Sequence, residues 1–151
     1  YFEMRPILAK YQAQFPGAVR MVTKDYPLQQ ECNSSITQPY HTAACEAAVA
    51  IRLARRNGKG DSLEEYFCRN QSTLSPASVR NAAFVIGGVQ DFDLQYPRTV
   101  GEVKADVGLA RLLGVSSTPT FFINGVRAGS AYPQTIDMAI AYELKKAGKI
   151  K

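Results

Sequence analysis

An Asn-Gly pair at positions 124 and 125, set between Thr120-Phe121-Phe122-Ile123 and Val126-Arg127-Ala128, constrains this chain more than any other feature. Two β-type runs separated by two residues that tolerate positive φ predict a tight antiparallel hairpin, because only the primed turns match the twist of the flanking strands. Tyr132 to Ala147, with Pro133 early and Gly148 past the end, carries Ile136, Ile140 and Leu144 on one face of a closing helix.

Upstream the period changes to helical. Tyr1 to Phe15 places Phe2, Pro6, Leu8, Ala9 and Tyr11 at helical spacing and stops at Pro16-Gly17, with Pro6 expected to kink it. In Ala18 to Lys24, Val19, Met21 and Thr23 alternate with Arg20, Val22 and Lys24, which predicts a strand ending at Tyr26-Pro27. After a polar stretch from Glu31 to Tyr40, His41 to Arg56 reads as an Ala-rich helix ending at Asn57-Gly58. Capping signals open three more helices: Asp61-Ser62-Leu63-Glu64-Glu65, Ser75-Pro76, and Thr99-Val100-Gly101-Glu102, the last running through Val103, Val107, Ala110, Leu112 and Leu113 to Gly114.

The order is helix, strand, several helices, hairpin, helix, without repeat or long linker, so 1–151 is read as a single α/β or α+β domain. Three visible strands make a thin sheet with an open edge, and a strand preceding Tyr1 is expected to complete it. The chain starts inside a helical pattern and reads as cut from a longer one, whose upstream part is the place for a leader, an anchor or another domain.

With 151 residues, 46% of them hydrophobic, the chain has material for one sizeable core. The net charge of +5 is spread along the chain, apart from Arg52, Arg55, Arg56, Lys59 and Lys145, Lys146, Lys149, Lys151, which suit the negative ends of helices. No basic stripe interleaved with aromatics tracks a nucleic-acid backbone, and no apolar run has the length of a membrane span.

The most informative stretch is Gly114-Val115-Ser116-Ser117-Thr118-Pro119-Thr120-Phe121-Phe122-Ile123-Asn124-Gly125. It resembles the Gly-Val-x-x-Thr-Pro-Thr-Phe-x-x-Asn-Gly signature of DsbA-like thioredoxin-fold disulfide oxidoreductases. Tyr1-Phe2-x-x-x-Pro6, Phe15-Pro16-Gly17, Val19-Arg20 and Lys24-Asp25-Tyr26-Pro27-Leu28 are similar to the segment that follows the Cys-x-x-Cys of that family. The resemblance covers nearly the whole chain and implies a thioredoxin-like fold with a helical insertion over 31–114. It also implies a cis Pro119, with Thr118 and Pro119 positioning an extended substrate chain, and a cis X-Pro bond usually marks a constrained turn. Glu31-Cys32-Asn33 with His41-Thr42-Ala43-Ala44-Cys45-Glu46-Ala47-Ala48 looks closest to the branch fused to vitamin K epoxide reductase-type membrane proteins.

One departure is decisive for chemistry: the catalytic Cys-x-x-Cys is absent, and by this resemblance it falls just upstream of Tyr1. This chain therefore holds no catalytic residue of its own. Cys32 and Cys45 have 12 residues between them and Cys45 and Cys68 have 22, so no such motif can be assembled from these three. A Cys32–Cys45 disulfide is the preferred reading, stabilising by about 3 kcal/mol in the loop-entropy picture and implying an oxidising compartment. Cys68 is expected as a buried thiol on the apolar side of a helix. Two alternatives stay open: a structural zinc held by Cys32, His41, Cys45 and Cys68, or Cys32 and Cys45 as a second redox pair.

The resemblance implies thiol-disulfide exchange on periplasmic or otherwise extracytoplasmic proteins, with no cofactor or metal and with a membrane redox domain as a further partner. The competing reading is a non-catalytic thioredoxin-fold module that binds polypeptide or docks on a partner.

Overall fold

The computed structural model describes residues 2–38 and 40–150, so Tyr1 of the expected first helix lies outside them. Among the described residues the chain is mixed α/β, with six α-helices and a single two-stranded sheet. They gather into two compact units. Residues 24–114 form a helical unit from one continuous stretch, while 2–23 and 115–150 form a hairpin unit from the two flanking stretches.

In the hairpin unit a 3-10 turn, Phe2–Met4, leads into α1, Arg5–Gln14. The expected kink at Pro6 does not form, because Pro6 falls in the first turn of α1, where its missing N–H leaves no helical bond unmade. The strand expected over 18–24 is not formed either. A period-2 pattern makes a strand only where a neighbour takes its N–H and C=O groups, and the described sheet contains β1, Phe122–Ile123, and β2, Val126–Arg127, alone. Val19 packs instead against the unit's apolar cluster.

β1 and β2 pair antiparallel with Phe122 opposite Arg127 and Ile123 opposite Val126. Asn124 and Gly125 have φ of 49° and 82°, the positive pair that a two-residue primed turn demands. The last helix of the chain, Pro133–Lys146, buries Ile136, Ile140 and Leu144 against Met4 and Tyr11, with Phe121 and Ile123 packed on the same cluster. Asn124 Nδ2 donates to Glu143 Oε2 at 2.8 Å, tying the turn to that helix.

The helical unit contains α2, Ala44–Arg56, α3, Gly60–Arg69, α4, Pro76–Val85, and α5, Phe92–Leu112. The last helix, Pro133–Lys146, is accordingly α6. Its core is the inner face of α2, with Val49, Ala50, Leu53 and Ala54, meeting Leu63, Phe67, Val79, Ala83 and Val103. Gly87 sits where a Cβ would lie 3.0 Å from Ala54 Cβ and 2.7 Å from Ala83 O, so the α4–α5 connection passes against the core only as glycine.

Three expectations change here. α2 starts at Ala44 rather than His41. The Asp61 capping box is not made, since α3 starts at Gly60 and Asp61 lies inside its first turn. Nor does Thr99 open a helix: α5 runs unbroken from Phe92 through Pro97, with Phe92, Thr99, Val103, Asp106 and Val107 buried along one stripe. Burial of that stripe outweighs the one hydrogen bond Pro97 removes and a local cap signal. Ser75 does cap as its sequence predicts, in a reciprocal box with Ser78.

Candidate functional site

The loop that carries the family resemblance lies in the hairpin unit. α5 gives way at Gly114, whose φ of 67° ends the helical course. Thr118 and Pro119 follow, both exposed and joined by a cis peptide bond. Thr120 Oγ1 donates back to Ser117 O at 2.6 Å, closing the turn from which β1 departs. Thr118 and Pro119 thus stand exposed just before a short strand, with Phe121 and Ile123 packed on the apolar cluster behind them.

The three cysteines and the histidine belong to the helical unit. Cys32 and Cys45 form a disulfide with S–S 2.08 Å and Cα–Cα 5.9 Å, and both residues are buried in the core. Two sulfurs bonded to each other are not available as thiolate ligands, and no metal-holding group of His, Cys, Asp and Glu is found among the described residues. Exchange needs an attacking thiolate to reach a sulfur in line, and with Cys32 3% and Cys45 0% exposed this bridge is shielded as a structural staple is.

The polar loop around Cys32 is fixed by side chains. Gln29 Oε1 accepts from the Cys45 N–H at 2.9 Å, capping α2 from 16 residues upstream. Asn33, fully buried, donates through Nδ2 to Pro27 O at 2.9 Å and accepts from Ser35 N–H at 3.1 Å. Beside the bridge, the Tyr96 hydroxyl donates to Glu31 Oε1 at 3.1 Å. Burial first, then the Glu31 and Glu46 charges, push the Tyr96 pKa well up, so it stays a protonated donor.

Two further features were invisible in sequence. Asp106, 6% exposed, accepts from Lys24 Nζ at 2.9 Å, from Asp25 N–H at 3.0 Å and from the Arg52 guanidinium. Arg52 also bonds Asp25 and reaches Glu102, so the 24–25 segment is bolted to α2 and α5. Burial raises the Asp25 carboxyl above its ordinary value, against the lowering pull of Arg52. Cys68, expected buried, is exposed instead. On α3 it is Leu63 and Phe67 that face the core, and Cys68, next to Phe67, falls outside that stripe. It lines a groove together with His41, which lies 3.3 Å from Gln71.

No protein-family model matches the chain, and no solved structure matches it. Among curated proteins it is similar to the Na(+)/H(+) antiporter NhaA 3 of Salinispora tropica, 31% identical over 136 residues. The match takes in 85% of this chain and 18% of that protein, so the chain spans less than a fifth of the relative's length. No helix among the described residues is long and apolar enough to cross a membrane.

Proposed function

We propose that the chain is a DsbA-like thioredoxin-fold module working in thiol-disulfide exchange on extracytoplasmic polypeptides, with its reactive cysteine pair preceding Tyr1 in the parent protein. The observation that carries the reading is the 114–125 segment, in which an exposed Thr118-Pro119 loop leads directly into a hairpin braced on α6. In the proposed reaction an upstream thiolate attacks a substrate disulfide sulfur, one sulfur leaves as a thiolate, and the second cysteine resolves the mixed disulfide. Thr118 offers its main chain to the substrate strand, as in other cases of strand addition. The buried Cys32–Cys45 bridge fits an oxidising compartment. The Glu31-Cys32-Asn33 and His41 to Ala48 motifs extend the proposal to a membrane redox domain as partner.

The test is exchange by the reduced full-length parent with a disulfide-bonded peptide, followed by trapping of the mixed disulfide. Exchange that maps to a cysteine pair before Tyr1, with a KM raised by Thr118→Pro because that change removes a main-chain donor, supports the reading. A parent with no cysteine there overturns it. The similarity to an antiporter favours one second reading, a non-catalytic thioredoxin-fold module attached to a membrane transporter and binding polypeptide without chemistry. That reading requires a parent that binds the peptide and never exchanges with it.

A further inference from the structure

The charge of the chain divides along its two units. Residues 24–114 hold ten basic and ten acidic residues, whereas 1–23 and 115–151 hold eight basic and three acidic, so the whole net charge of +5 belongs to the hairpin unit. The two acids of α6 are both engaged: Asp137 pairs with Lys10 at 3.4 Å, and Glu143 accepts from Asn124 at 2.8 Å. Lys145, Lys146 and Lys149 are exposed and make no ion pair among the described residues. The macrodipole suits Lys145 and Lys146 in the last turn of α6. It explains neither the concentration of charge in one unit nor the apolar residues beside those lysines.

α6 is apolar on two faces. Ile136, Ile140 and Leu144 are buried on the inner one. On the outer one Met138 and Tyr142, each 66% exposed, stand one turn apart, and Lys145 follows on the same face at helical spacing. Asp137 and Glu143 fall to the flanks, so this face carries apolar side chains and a cation and no carboxylate. A single convex helix gives a folded partner no groove to fill, whereas a fluid anionic surface needs no match of shape. With 14 residues, α6 is about 21 Å long, short of the ~30 Å hydrocarbon core, so its place on a bilayer is along the surface.

We propose that the outer face of α6 docks the hairpin unit onto an anionic phospholipid surface. Met138 and Tyr142 enter the headgroup boundary, and Lys145, Lys146 and Lys149 lie against lipid phosphates. Docking uses neither Thr118 and Pro119 nor any thiol, so it stands or falls apart from disulfide exchange.

The test is co-sedimentation of the chain with vesicles of phosphatidylglycerol and phosphatidylcholine in equal parts, against phosphatidylcholine alone. Binding to the mixed vesicles only is expected, weakening as salt is raised. The triple variant Lys145→Gln, Lys146→Gln, Lys149→Gln should bind on the order of a hundredfold more weakly, three cations being lost from the contact. Removing the same charge from exposed positions of the helical unit, with Lys59→Gln, Arg98→Gln and Lys104→Gln, should weaken binding by less than about threefold, through screened attraction alone. The pair Met138→Ser, Tyr142→Ser leaves every charge in place and should weaken binding about tenfold. Absence of binding to the mixed vesicles, equal loss in the two triple variants, or undiminished binding by the Met138, Tyr142 pair overturns the proposal. Capture of the chain by polyglutamate at charge concentrations where the vesicles capture none overturns the bilayer as occupant and reassigns the face to acidic polypeptide.

Discussion

The two units of this chain are stabilised by different means. The helical unit is one continuous stretch whose irregular segments are held by a disulfide, a buried Asn33, a long-range Gln29 cap and the Asp106–Arg52 cluster. The hairpin unit is assembled from both flanks around a small apolar cluster, tied by Tyr11 and Lys10 to Asp137 and by Asn124 to Glu143. Covalent and ionic restraint goes where loops are long and polar. The exposed Thr118-Pro119 loop, which carries the functional resemblance, relies on apolar packing of the residues just after it.

The sharpest way to break this comparison is to remove apolar volume from the hairpin unit. Ile140→Ala should cost about 2–5 kcal/mol and raise amide exchange in α1 and α6 well before α2 and α4 respond. Uniform loss of protection in both units would refute the contrast. The converse experiment replaces both cysteines, Cys32→Ser and Cys45→Ser, and should cost about 2–4 kcal/mol by urea unfolding, with the first amides to lose protection lying in 27–36 and the start of α2. A smaller effect is expected at the turn. Gly125→Val forces a β-branched residue to a φ of 82° and should cost about 1–2 kcal/mol, confined to β1, β2 and the Thr118 loop.

The smallest effect concerns Asp25. Its folded pKa is raised above the ordinary 3.8, with burial the leading cause, so its favourable contribution is present in acid and fades as pH rises through the raised value. The stability of the native chain relative to Asp25→Asn should therefore increase as pH falls through the window just above 3.8, and level off below it. A pH-independent difference would mean that Arg52 fully offsets the burial.

Sequence legibility followed the range of the interactions involved. The turn at Asn124-Gly125, the buried face of α6 and the Ser75 cap all rest on contacts within a few residues, and all are found as read. The alternation over 18–24 makes no strand, because alternation is local whereas a strand needs a partner. α5 was cut short at Thr99 because capping boxes and Pro97 are local signals, while the Phe92 to Val107 stripe that overrides them answers to α2 and α4. The Asp106 cluster joins positions 24, 25, 52 and 106, and the groove joins four separate segments, so no spacing rule exposes either.

The continuity of the 24–114 stretch has a consequence for synthesis. Every residue of the helical core, and both sulfurs of the bridge, have been polymerised by the time Gly114 leaves the ribosome. Of the described hairpin unit only 2–23 has then emerged, and Met4 and Tyr11 wait for the cluster partners Ile136, Ile140 and Leu144 to follow. A nascent chain arrested once residue 114 has cleared the exit tunnel should thus already resist protease across α2 to α5 while α1 is still cut.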